Sequence, residues 1–152
     1  MLFLDPYGTQ VRWPTIEAIA ATKAIDLWVL WPLGIAVNRM VTRSGDIPAG
    51  WRKSLDTLLG TPDWYGAFYS VTKTVNLFGD EIDQVEKATT DSIGQYLNAR
   101  LKTVFPAVAE NPRVLRNSTG CPIYLLCFAA GNENGAPIAI RIAQHLLKRG
   151  AL

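Results

Sequence analysis

The chain has 152 residues, 49% hydrophobic and 18% charged, with five each of Trp, Tyr and Phe. That length suits one domain with its own core, and so apolar a composition excludes a disordered chain. Fifteen Lys and Arg against 13 Asp and Glu give a formal charge of +2, a balance that neither requires nor excludes a nucleic-acid partner.

Leu2-Phe3-Leu4 reads as the end of a buried parallel strand, stopped by Asp5-Pro6-Tyr7-Gly8. Pro14 to Lys23 has helical spacing, with Ile16, Ile19, Ala20 and Lys23 on one face. Ile25 to Trp31 is a β-prone apolar run ended by Pro32 and Gly34, as expected of a strand covered on both faces. Gly34 to Thr42 predicts a helix that brings Ile35, Asn38 and Arg39 to the exit of this second strand. A polar linker from Arg43 to Pro48 precedes a helical stretch through Leu59, whose apolar stripe is Trp51, Leu55, Leu58 and Leu59. Gly60-Thr61-Pro62 breaks it. Trp64, Phe68 and Tyr69 form a short aromatic helix or ordered loop, and a weakly patterned stretch runs on to Gly79. The region 43–79 therefore reads as a helical insertion.

Asp80 to about Phe105 predicts a long helix carrying Ile82, Val85, Thr89, Ile93, Tyr96, Leu97 and Leu101 near one face. Phe105 to Val108 and Val114 to Asn117 are strand pieces, and Ile123 to Ala129 is the clearest strand of the chain, set to pair with the Val114 segment as a hairpin. After the loop Gly131 to Gly135, a helix from Pro137 to Lys148 turns Ile138, Ile142, Ala143, Leu146 and Leu147 toward the sheet. Helix, strand and breaker in this order predict an α/β layer architecture and a single domain over 1–152.

Cys121 and Cys127 form no close-spaced pair and read as buried or partly buried free thiols, while the lone His145 reads as a surface residue without chemistry. No Cys/His set suits zinc, and an all-carboxylate site stays open but no spacing demands one, so no metal is expected. The N-terminal residues carry no leader pattern, and no apolar run is long and unbroken enough to cross a bilayer, which predicts a cytoplasmic chain without membrane contact. Trp28, Trp31, Trp51, Trp64 and Phe68 read as packing residues. Neither a Gly-x-Ser-x-Gly elbow nor a phosphate-binding Lys-Ser/Thr loop is present, which disfavours a hydrolase or a nucleotide-binding domain.

The opening loop is the candidate site. Open α/β sheets expose ligands at the carboxyl ends of parallel strands, where Asp5 stands. Its carboxylate and the carbonyl of Pro6 can accept hydrogen bonds from an amine, Tyr7 offers a flat ring for stacking, and Gly8 lets the chain pass close to a ligand. Asp5 also has a structural reading, as the residue that caps the turn by accepting backbone hydrogen bonds. Asn38 and Arg39 can meet a phosphate, or cap a helix and bridge to Glu17 or Asp5.

Asp5-Pro6-Tyr7-Gly8 resembles the (Asp/Asn)-Pro-Pro-(Tyr/Phe) loop of amino-group methyltransferases that act on nucleic-acid bases with S-adenosylmethionine, although one proline stands here where that family has two. The resemblance implies Asp5 and Pro6 as amine acceptors and Tyr7 as the platform for an extruded base. Phe3 to Gly8, Trp13 to Glu17, Thr22 to Trp28, Pro32 to Arg39, Leu59-Gly60 with Trp64, and Pro122 to Ala129 resemble the C-terminal portion of three-Cys-motif partner proteins. Those are prokaryotic proteins, frequent in mobile-element and defence surroundings and paired with a three-Cys-motif protein. The comparison implies a partial Rossmann-like methyltransferase fold, a mixed four-stranded half sheet packed by helices. Its strands would be the segments at Leu2, Ile25, Val108 to Leu115, and Ile123. No Gly-x-Gly turn precedes Asp5, so the chain reads as a truncated, substrate-side portion that does not bind S-adenosylmethionine by itself. Its open strand edge predicts self-association. The expected functions are the substrate-binding half of a nucleic-acid methyltransferase, with Tyr7, Gly8, Asn38 and Arg39 at the substrate, or a noncatalytic partner or scaffold.

Overall fold

A computed structural model describes residues 1–75 and 77–149. Strand β1 (Leu2–Leu4) leads through a loop into helix α1 (Trp13–Ala21), which buries Trp13, Ile16, Ile19 and Ala20. Strand β2 (Leu27–Trp31) then pairs in parallel with β1, Leu4 opposite Val29. Leu27, Val29 and Trp31 are fully buried against the α1 side, and each such side chain is worth about 1.5–3 kcal/mol. Lys23 is not part of the helical face: it follows α1 with a positive φ of 51° and is exposed.

A π-helical turn (Leu33–Val37) and a short α2 (Asn38–Met40) follow β2. Helices α3 (Ala49–Leu59) and α4 (Trp64–Phe68) add Leu55, Leu58, Leu59, Trp64 and Phe68 to the same core. Trp51 departs from its expected stripe, because the first turn of α3 overhangs the core and leaves the indole 40% exposed.

The largest difference from the sequence reading lies beyond α4. In place of the weakly patterned end of the helical insertion and the start of a long helix from Asp80, strands β3 (Tyr69–Val75) and β4 (Glu81–Lys87) pair as an antiparallel two-stranded arm. Only then does α5 (Thr90–Leu101) begin, its N-cap Thr89 accepting from the Ser92 amide. β-Branched and alternating residues in Val71-Thr72-Lys73-Thr74-Val75 favour extended chain, and Gly79 turns it with a φ of 88°. Ile82 is exposed on the arm, so the helical face drawn through it does not exist.

The main sheet has five strands, not four. The segment that the family resemblance counts as one strand, Val108 to Leu115, is the two pieces read from the residues, β5 (Ala107–Val108) and β6 (Arg113–Arg116), both antiparallel to β7 (Pro122–Ala130). Pro112 cannot donate to the ladder. Asn111 instead exchanges hydrogen bonds with Gln144, its amide donating to Oε1 and its carbonyl accepting from Nε2, both at 3.2 Å. β7 is also antiparallel to β2, so the order runs β1-β2-β7 with β5 and β6 on the far edge. Helix α6 (Ala136–Arg149) covers the other face through Ala136, Ala143 and Leu147. The result is a mixed sheet with α1 and α3 to α5 on one face and α6 on the other. Ile138, Ile142 and Leu146, expected to face the sheet, are 59%, 55% and 52% exposed.

Candidate functional site

Parallel pairing of β1 and β2 brings their carboxyl ends to one rim of the sheet. At that rim Asp5 is exposed, Pro6 is buried and anchors the loop, and the Tyr7 ring stands 85% exposed. Gly8 has a φ of 60°, and a Cβ added there would meet nothing within 4 Å. Backbone sign, not close packing, is therefore the reason for glycine. The Asp5 carboxylate accepts no hydrogen bond among the described residues, so it does not cap the turn. Asp26, at the opposite end of β2, does that work for another loop by accepting from the Gly131 amide at 3.0 Å.

The exit of β2 is built differently. The Pro32 carbonyl accepts from the amides of Ala36 at 3.1 Å and Val37 at 3.0 Å, which opens a π-turn, a geometry frequent at functional sites. Gly34 packs against the main chain at Pro122, and the turn delivers a half-buried Asn38 and an exposed Arg39. The Asn38 carbonyl accepts from Lys87 Nζ at 2.7 Å. Burial, with Arg43 nearby as a lesser cause, holds the Lys87 pKa below the usual lysine range. Asn38, Arg43, Lys87, Thr89 and Thr90 line a cleft of about 480 Å³ with Glu86 on its wall. Two cationic side chains and the N-terminus of α5 give this cleft the polarity for an anion.

Asn38 thus bonds Lys87 and shares a cleft with Arg43, while no hydrogen bond or ion pair among the described residues joins Asp5 to Asn38, Arg39 or Glu17. Lys87 and Thr89 fall inside the long helix that the sequence predicts; the β-branched run from Val71 to Val75 is the one local signal for the arm. Of the two thiols, Cys127 is buried but Cys121 is exposed, a correction to its expected burial: it lies in the turn before β7, outside the core. His145 is exposed on α6.

Among the described residues no group of three or more His, Cys, Asp or Glu is placed to hold a metal ion, and no helix is long and apolar enough to cross a membrane. The residues at the β1 exit do not fit S-adenosylmethionine. Its binding loop needs several glycines where backbone approaches the ligand closely, whereas the loop between β1 and α1 carries only Gly8. No protein-family model, curated protein or solved structure matches this chain significantly.

Proposed function

We propose that this chain is a three-Cys-motif partner protein of Rossmann-like methyltransferase type, serving as the substrate-binding half for an amino group on a nucleic-acid base. The observation that carries the reading is the pairing of an unpartnered Asp5 carboxylate with an exposed Tyr7 ring, immediately beyond a parallel strand. The sheet order adds support. In the methyltransferase fold the substrate loop follows the fourth strand, the fifth lies beside it, and the last two make an antiparallel edge. β1, β2, β6 and β7 have those relations here.

In this reading the Asp5 carboxylate accepts one N–H of the exocyclic amine and the Pro6 carbonyl the other, which turns the nitrogen lone pair away from both acceptors. Tyr7 stacks on the extruded base, and such stacking contributes about 1–3 kcal/mol. The cationic side chains Arg39, Arg43 and Lys87 meet backbone phosphates. The methyl donor is S-adenosylmethionine held by polypeptide other than the residues described.

Fluorescence anisotropy with labelled single-stranded oligonucleotides tests the reading. Adenine- or cytosine-rich strands should bind more tightly than oligothymidine, which has no exocyclic amine. Tyr7→Ala should weaken binding about 5- to 150-fold, and Asp5→Ala should remove the preference over oligothymidine. Equal binding of all strands by wild type and both variants would refute it. The exposed Ile138, Ile142 and Leu146 favour a second reading, a noncatalytic scaffold. Undiminished capture of a three-Cys-motif protein by Asp5→Ala, without base binding by wild type, would select it.

A further inference from the structure

Arg43 and the foot of the β3–β4 arm enclose the cleft of about 480 Å³ at the exit of β2. Strand alternation puts Val85 and Lys87 on the face of the arm that meets the body, with Val85 beside Gly45. Glu86 borders the cleft from between them, and the same alternation turns its side chain to the opposite face. Lys87 spends one ammonium donor on the Asn38 carbonyl and keeps the others free. Among the described residues neither Arg43 nor Lys87 forms an ion pair with a carboxylate, and Arg43 has no hydrogen-bond partner. Burial, and then the neighbouring Arg43, hold the Lys87 pKa below the usual lysine range. Two cations held together and short of counter-charge are stabilised by an anion between them.

We propose that this cleft seats the terminal phosphate of a nucleic-acid strand. The inference rests on the nucleic-acid reading above and adds which part of the strand the cleft takes. An internal phosphodiester carries a single negative charge, whereas a terminal monoester carries about 1.5–2 at pH 7 and presents three strong acceptor oxygens. The monoester matches both the charge of Arg43 with Lys87 and their spare donors, and guanidinium–phosphate contacts are among the stronger hydrogen bonds. The first turn of α5, at Thr90, adds its positive dipole end as a lesser contribution. The cleft lies at the exit of β2 and the Asp5 loop at the exit of β1, on one rim of the sheet, so both serve the same strand.

Isothermal titration calorimetry with short strands ending in a 5′-phosphate, a 3′-phosphate or hydroxyls at both ends is the test, at about 50 mM salt where screening is modest. A strand with a phosphate at one of its ends should bind about tenfold more tightly than the same strand with hydroxyl ends. Arg43→Gln and Lys87→Gln should each reduce that ratio to about threefold or less. Lys102→Gln removes an equal charge at the other end of α5, about 18 Å away, and should leave the ratio unchanged. Arg43 is exposed and holds no other element in place, so Arg43→Gln keeps the test readable should Lys87→Gln, which also loses the Asn38 bond, fail to fold.

Equal binding of phosphate-ended and hydroxyl-ended adenine strands, with the preference for adenine over thymine intact, would overturn this inference alone. A terminal-phosphate preference kept on oligothymidine, without any base preference, would remove the role of Asp5 and Tyr7 and leave the cleft assignment standing. A mononucleotide or inorganic phosphate binding as tightly as the phosphate-ended strand would make the cleft a site for free phosphate and overturn the strand-end assignment.

Discussion

Replacing Gly34 with Ala tests whether the π-turn is locked to the start of β7. An added Cβ would lie inside the van der Waals shell of the Pro122 carbonyl oxygen, 2.8 Å from the Pro122 carbonyl carbon and 3.3 Å from Ile123 Cα. All three are main-chain atoms of a strand paired with β6, so no rotamer change relieves the overlap. Ala is favoured over Gly by about 1 kcal/mol in a helix interior. Overpacking in a region that cannot yield costs at least the upper end of about 1–3 kcal/mol. The net expectation is a loss of about 2 kcal/mol, a melting temperature lower by about 4–8 °C for a chain of this size. Gly50→Ala is the control, since a Cβ there meets nothing within 4 Å in α3. It should be neutral or stabilising by up to about 1 kcal/mol. Urea and thermal denaturation followed by circular dichroism give both numbers. If Gly34→Ala proves as stable as Gly50→Ala, the close approach of the turn to β7 is wrong, and with it the delivery of Asn38 to Lys87.

The thiols should differ sharply in reactivity. Burial pushes the Cys127 pKa far above the usual thiol range, whereas Cys121 is exposed, so a thiol reagent should label only Cys121 in the native protein and both in denaturant. Rapid native labelling of both would show that the β7 core opens. Alkaline pH should destabilise the fold, because burial raises the pKa of Tyr69 and Tyr96 above 10.0. The unfolded chain then loses phenolic protons first, so this stability is fully present below pH 10 and falls as pH rises through the folded-state values. Urea midpoints measured on either side of pH 10 should show the fall, and Tyr69→Phe with Tyr96→Phe should shrink it; an unchanged slope in the double variant would assign the fall to other groups.

Local signals carried much of the fold. Leu2-Phe3-Leu4, Ile25 to Trp31 and Ile123 to Ala129 are apolar runs bounded by Pro or Gly, and each is a strand of the main sheet. Ile16, Ile19 and Ala20, and later Leu55, Leu58 and Leu59, recur at helical spacing and are buried. The same kind of signal misled from Asp80 onward, because Ile82, Val85, Thr89 and Ile93 keep helical spacing across a boundary between strand and helix. Cross-strand pairing from Tyr69–Lys87 to Val75–Glu81 outweighs that local pattern.

The candidate site divides along the same line. Asp5-Pro6-Tyr7-Gly8 is contiguous, and a strand followed by proline and glycine suffices to predict an exposed loop at its end. Lys87 beside Asn38 is a contact across 49 residues, created when the arm folds back over the exit of β2. The face of α6 is likewise a tertiary matter. Periodicity identifies an apolar side that includes Ile138, Ile142, Ala143, Leu146 and Leu147, but only the reach of the sheet decides which are covered. Small Ala136 and Ala143 allow the helix to settle close over β7, with Leu147 beneath it, while Ile138, Ile142 and Leu146 extend past the covered strands. Nearest-neighbour chemistry sets what an element is; the other elements set which of its surfaces remains open to a partner.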